Sequence, residues 1–261
     1  MRVESHESPM NSVARFTEMR VTLNTPEGPI RGSVQVDSGP IYLADLVSTA
    51  QELTNILVSR ANRREEMAGR PISCRAGCGA CCRQMVGLSI PECFYLADYL
   101  DSFEPARRKE VQERFDPAEA ELTRHGITEF FESASYDQEM ALNQAVDYFY
   151  LGIPCPFLID ESCGIHEHRP VVCREYNVTS PAVWCADPAN NRIAKVPMPQ
   201  PLSTPLARLT AELTDSTPRL IPLTLCRRFV AQHDDLRRRT WPGLELFQKF
   251  LGYLGELPAS R

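Results

Sequence analysis

Long apolar runs, a basic excess and glycine-rich cofactor loops are all missing from this 261-residue sequence, and each absence narrows what it can be. No stretch approaches the roughly 18 consecutive apolar residues of a membrane-spanning helix, so no membrane partner is expected. Met1 to Met10 lacks the apolar segment and small-residue cleavage site of an export signal. Lys and Arg number 28 against 34 Asp and Glu, for a net charge of -6 and a pI of about 5.5. That balance leaves no broad basic surface for phosphates, so no nucleic acid is expected as a partner. Internal repeats are absent as well, and strands do not alternate with helices.

Cysteine, by contrast, is abundant. Of ten cysteines, eight (Cys74, Cys78, Cys81, Cys82, Cys155, Cys163, Cys173 and Cys185) fall in two tight groups. A secreted chain would use them as a disulfide framework, but no export signal is visible and cytosolic thiols are held reduced. The expectation is therefore a cytoplasmic protein whose thiols bind metal. Close thiols repel one another once ionised, and a bound cation is what stabilises several thiolates side by side.

With 43% hydrophobic residues the chain can bury a good-sized core. Val21 to Asn24 and Ile30 to Val36 flank the turn-forming Thr25-Pro26-Glu27-Gly28-Pro29 and predict a hairpin. Leu46, Ala50, Leu53 and Leu57 recur at helical spacing between Leu43 and about Met67, where Gly69 and Pro71 end the helix. Ser89 with Glu92, and Pro91 in the first turn, open a helix to about Leu100. A helical piece starts at Pro105, and Asp116, Pro117 and Glu119 restart a charged helix ending near Gly126. Leu142, Ala145, Val146 and Phe149 form a stripe on a helix that Gly152 and Pro154 stop just before Cys155. Pro197, Pro199, Pro201 and Pro205 make 196–205 an extended connector. Helices are expected at Leu206 to Thr214 and Pro222 to Arg239, and an amphipathic one carries Leu244, Phe247, Leu251 and Leu254.

The fold class is thus mainly α with a small N-terminal β-hairpin, its helices arranged around a loop-borne cysteine cluster. Three parts follow: an extension over 1–40, a metal-binding domain over 41–195, and a Pro-rich connector with C-terminal helices over 196–261.

The strongest motif is Cys74-x3-Cys78-x2-Cys81-Cys82. Gly77, Gly79 and Ala80 let the backbone curl so that several sulfurs converge at about 2.3 Å from a metal. Arg75 and Arg83 flank the thiolates with no acid nearby in sequence and can offset negative charge. The second group is Cys155-Pro-Phe-Leu, Cys163-Gly-Ile-His166 and Arg169-Pro-Val-Val-Cys173-Arg174. Four ligands suffice for zinc or a simple cluster, so the surplus means either non-ligating cysteines or more than one metal.

These motifs together resemble the zinc- or iron-chelating cysteine-cluster family of the YkgJ type, over roughly residues 70–180. The resemblance implies a metal-binding domain holding an iron-sulfur cluster or zinc. It also implies ligands among Cys74, Cys78, Cys81, Cys82, Cys155, Cys163 and Cys173, with Arg169, Pro170 and Arg174 as characteristic neighbours. Where that family carries Tyr, this chain has His166, read as a substitution rather than a ligand.

Other candidates carry blander readings. Cys93 and Cys226 lie in helical segments and are expected as core thiols. Cys185 is balanced between ligand and bystander. His166 and His168 are read as solvated, His6, His125 and His233 belong to no constellation, and Asp160-Glu161 is read as a solvated turn rather than an acid-base pair. Core packing accounts for Phe149 in Tyr148-Phe149-Tyr150.

Three functions compete: a metal-binding protein with a redox or electron-transfer role, an iron-sulfur enzyme, and an interaction module with structural zinc. Cys74-x3-Cys78-x2-Cys81 has the radical S-adenosylmethionine spacing, but the strand-helix units of that barrel are missing. Flagellin lysine N-methylases carry a related cluster, which keeps an S-adenosylmethionine-dependent protein methylase as an alternative. No substrate is indicated, and a protein partner is left open.

Overall fold

A computed structural model describes residues 16–26, 28–133 and 137–256. Met1 to Met10, His6 and Glu27 of the predicted turn lie outside them. Of the described residues 56% are helical, and among them are ten α-helices and an N-terminal hairpin.

Strands β1 (Phe16–Leu23) and β2 (Ile30–Asp37) pair antiparallel, Phe16 opposite Asp37 and Leu23 opposite Ile30. Alternation puts Val21, Leu23 and Val36 on one buried face. The short β3 (Pro40–Tyr42) leads through one 3-10 turn into α1 (Leu46–Met67). Leu46, Ala50, Leu53, Leu57 and Ala61 form the buried stripe of α1. After the first cysteine group, β4 (Gly87–Leu88) precedes α2 (Ile90–Asp101). The carboxylate of Glu92 accepts hydrogen bonds from Ser89 N at 2.9 Å and Ser89 Oγ at 2.7 Å, closing the start of α2.

The next region departs from expectation. Helix α3 runs unbroken over Pro105–Arg124 with Pro117 inside it, instead of restarting there. Val111, Phe115, Ala118 and Leu122 are buried at i, i+4, i+7 and i+11, so one continuous packed stripe outweighs the single hydrogen bond that Pro117 removes. A short α4 (Ile127–Glu132) follows. In α5 (Gln138–Leu151) the buried residues are Ala141 and Tyr148, whereas Leu142 is 67% and Val146 54% exposed and Phe149 only half-buried. Turning the helix that way encloses the ring of Tyr148 and leaves Leu142 and Val146 outside the core.

Strands β5 (Leu158–Ile159) and β6 (Ser162–Cys163) make a two-residue hairpin through Asp160 and Glu161, before α6 (Val171–Glu175). The connector is shorter than expected. Helix α7 (Ser203–Leu213) already includes Pro205 in its first turn, where no intrahelical partner is needed. The expected helix from Pro222 to Arg239 is divided into β7 (Ile221–Pro222), a 3-10 turn, α8 (Cys226–Gln232) and α9 (Asp234–Arg237). Pro222 sits opposite Gly87 in the β4–β7 pair, and Leu223 N donates to Val86 O at 2.8 Å, so this backbone serves a ladder and not a helix. Finally β8 (Thr240–Pro242) pairs with β3, and α10 (Gly243–Glu256) packs on α7 and on both strands of the hairpin.

One apolar core runs from Val21 to Leu254, with Cys93 and Cys226 inside it as fully buried thiols. Packing of α1 on α6, and of α2 on α7 and α8, sets the rim on which the cysteine loops rest. No described helix is long and apolar enough to cross a membrane.

Candidate metal centre

The first cysteine group occupies the turn-rich stretch between α1 and β4. Gly77 has φ of +76°, in the left-handed region that favours glycine, and bends the chain between Cys74 and Cys78. Cys78 N donates to Arg75 O at 3.2 Å and Cys82 N to Gly79 O at 3.0 Å. Cys81 and Cys82 ride the 3-10 turn Ala80–Arg83. At Gly79 the β5–β6 hairpin passes so close that a Cβ would lie 2.6 Å from Glu161 Oε2 and 2.7 Å from Leu158 Cδ1.

The second group is laced to the first through the backbone. Cys155 N donates to Cys82 O at 2.7 Å, and Ser73 N to Val178 O at 2.9 Å. Cys163 ends β6, and Cys173 lies in α6. Helix α6 is anchored by Val171 N, which donates to the buried Glu92 Oε1 at 2.8 Å. Arg174 donates from Nε to Arg169 O at 2.9 Å, from Nη1 to Asn55 Oδ1 at 3.0 Å, and to Glu167 O. Gln51 Nε2 donates to the same Arg169 carbonyl at 3.2 Å. Helices α1 and α2 thereby hold the loop carrying Cys163 and Cys173 in place.

Both groups open onto one cavity of about 510 Å³. Its walls include Cys74, Cys78, Cys81, Cys82, Cys155, Cys163 and Cys173, all seven of the predicted candidates, together with Cys185. Cys74 is exposed, Cys185 is buried, and the other six are half-buried. Among the described residues, no three Cys, His, Asp or Glu side chains already stand in a geometry that could hold one ion. The sulfurs share a chamber without being closed around a point.

Burial governs the thiols. It raises Cys173 well above the ordinary thiol value, reinforced by the neighbouring Cys155, Cys81 and Cys163, and pushes Cys155 up to about 12. Cys81 is raised mainly by its side-chain hydrogen bond with Cys82, then by burial. Cys74, Cys163 and Cys185 are raised by burial too. Metal-free, these thiols are neutral at physiological pH, and only a cation would make several thiolates stable together. A soft, sulfur-rich donor set of this kind fits zinc or iron.

Several surrounding residues differ from their sequence reading. Arg83 is not free of acids. Its Nη1 and Nη2 meet Glu161 Oε2 and Oε1 at 3.0 and 2.6 Å, because the hairpin brings Glu161 across from a distant part of the chain. Glu161 is exposed, and so is Asp160, as expected for a turn. His168 is not simply solvated: its Nδ1 bonds Tyr95 Oη at 2.7 Å and its ring stacks on Tyr99. His166 is exposed at the cavity wall, His125 pairs with Glu121, and His233 bonds Phe229 O. Gln84 and Tyr176 escaped notice in the sequence. Gln84 Nε2 donates to Cys185 O at 3.0 Å, and Tyr176, raised to about 12 by burial, bonds the Cys185 side chain. No motif marks either, because Gln84 meets Cys185 and Tyr176 across about a hundred positions and Tyr176 meets Cys185 across a loop.

Comparison with curated proteins and with solved structures gives no match. Residues 73–196 match the family model CxxCxxCC, described as "Putative zinc- or iron-chelating domain". That segment, which contains both cysteine groups and every residue of the cavity wall except Leu223, is what the chain has in common with this family.

Proposed function

We propose that the protein holds an iron-sulfur cluster through thiolates drawn from Cys74, Cys78, Cys81, Cys82, Cys155, Cys163 and Cys173, and serves electron transfer. The observation that carries this reading is the single chamber of about 510 Å³ with eight cysteines in its wall. A structural zinc site is a closed tetrahedron of four ligands at about 2.3 Å and needs neither that space nor that surplus of sulfur. A polynuclear centre needs both. Once bound, such a cluster supplies reversible one-electron chemistry.

The residues divide the work. The tight turns around Gly77 and Gly79 present Cys74 to Cys82, and the bonds from Gln51, Glu92 and Arg174 fix the loop bearing Cys163 and Cys173. Val86, Ile165 and Leu223 form an apolar wall that limits water at the sulfurs. Cys185, beside Tyr176, is the eighth thiol within the same chamber.

Anaerobic purification followed by iron, zinc and acid-labile sulfide analysis tests the proposal. Brown protein containing iron and sulfide in comparable amounts, bleached by reduction or air, is the expected result. Colourless protein with stoichiometric zinc and no sulfide would overturn it in favour of structural zinc. Full metal content in a Cys78→Ala, Cys81→Ala double variant would defeat the ligand assignment.

A further inference from the structure

We infer that Arg169 is a positioning residue for the metal-thiolate centre, its buried Nε–H held ready to donate to a metal-bound sulfur. This rests on the metal-binding reading above, but not on which metal is bound.

Arg169 lines the same cavity as the eight cysteines. Its Nε is buried and has no hydrogen-bond partner. A buried cationic donor without an acceptor is costly, so a retained one points to an acceptor that the chain itself does not supply. Two other arginines of the site are committed, Arg83 to Glu161 and the Gly79 carbonyl, Arg174 to Asn55 and the carbonyls of Arg169 and Glu167, and Arg75 at the cavity wall is exposed to solvent. Arg169 differs from them. Only its carbonyl is engaged, by Gln51 and Arg174, which fixes the point from which the side chain leaves the backbone.

The chemistry of the bound state supplies the missing acceptor. Four thiolates carry more negative charge than a divalent ion or a cluster core offsets, so the centre is a net anion whose sulfurs accept hydrogen bonds. The positive charge of Arg169 already acts on Cys74, Cys81, Cys163 and Cys173, sulfurs from both groups. One guanidinium thus addresses both halves of the site at once.

The test compares wild type, Arg169→Gln and Arg169→Lys, each prepared metal-free under reducing conditions and then titrated with iron or zinc against a chelator. Arg169→Gln should weaken metal binding about 10- to 100-fold, as losses of outer-shell partners do. Arg169→Lys keeps the charge without the Nε–H and should fall between the two. Urea unfolding of the metal-free proteins separates a positioning role from a structural one. Metal-free Arg169→Gln should be at least as stable as metal-free wild type, since it removes a donor that has no partner. Wild-type metal affinity in Arg169→Gln would overturn this inference alone, and so would a metal-free variant as destabilised as the loaded one. Wild-type protein that takes up no metal would overturn the metal-binding reading and this inference with it.

Discussion

Replacing Glu92 by alanine should loosen the joint on which Cys173 depends. The Glu92 carboxylate is 1% exposed and accepts three hydrogen bonds, from Ser89 N, Ser89 Oγ and, across the fold, Val171 N. Glu92→Ala leaves two buried backbone N–H groups without an acceptor, at about 1–3 kcal/mol each. Against that stands the cost of enclosing a carboxyl, since burial pushes the Glu92 pKa up despite its donors and the nearby Arg174. The net loss should be about 2–4 kcal/mol, with Glu92→Gln milder at about 1–2 because the amide oxygen keeps one of the donors. The sign of the pH dependence is set by the raised pKa. Stability from this group is complete below its unfolded value near 4.5 and is lost as pH rises toward the folded value. The penalty of Glu92→Gln should therefore be largest at mildly acidic pH and shrink toward neutrality. Urea unfolding of the metal-free protein under reducing conditions measures it, with an unchanged m-value as the check on two-state behaviour. A Glu92→Ala protein within about 0.5 kcal/mol of wild type would refute the idea that this carboxylate ties α6 to α2.

Glu175 accepts from Leu202 N at 2.7 Å, and burial raises it to about 8, so its contribution fades between pH 4.5 and 8. Glu175→Gln keeps the acceptor and should gain on wild type by about 3–4 kcal/mol between pH 5 and pH 8, as read from unfolding curves at the two values. Gly79→Ala places a methyl against Leu158 Cδ1 and Glu161 and should cost about 1–3 kcal/mol and lower metal content, measured by calorimetry and metal analysis. The metal-free protein should lose stability as pH rises above 9, because unfolded thiols ionise there while Cys155 holds its proton to about 12. Metal loading should for the same reason release about one proton per ligating thiol, detectable as a buffer-dependent heat in titration calorimetry.

How far the fold could be read from the sequence depended on whether a local rule had a competitor. The stripe Leu46, Ala50, Leu53 and Leu57 and the Ser89–Glu92 start are short-range patterns that packing reinforces, and both elements stand as expected. Pro117 failed as a helix boundary because four buried side chains span it. Helix α5 failed in rotation rather than existence, since two overlapping apolar faces were available and only tertiary contacts choose between them. Pro222 was misread because its partner, Gly87, lies far back in the chain. The site followed the same division. Spacing marked the two groups of eight cysteines and the family resemblance the seven candidates among them, all of which line the cavity with Cys185, whereas the Arg83–Glu161 pair and the contacts of Gln84 and Tyr176 are made between separate segments and left no periodic trace.

The scaffold and the metal have separable tasks. In small zinc modules the unfolded chain gains most of its folding free energy from the ion, because too little apolar surface is available otherwise. Here the core from Val21 to Leu254 is built mainly from the hairpin and from helices outside the cysteine segments, which add only Phe157, Ile165 and Val171 to it, and the loops are tied to it through polar bonds made by Gln51, Glu92 and Arg174. Those bonds need no metal, so the two cysteine groups are brought face to face before any ion arrives. What they do not achieve is closure: burial keeps the thiols neutral, and neutral thiols have no reason to draw together. Chelation should therefore erase the centre and its coupling between the loops while leaving the helical circular dichroism almost unchanged. A loss of helix in step with metal removal would mean that the ion, and not the apolar core, holds this architecture together.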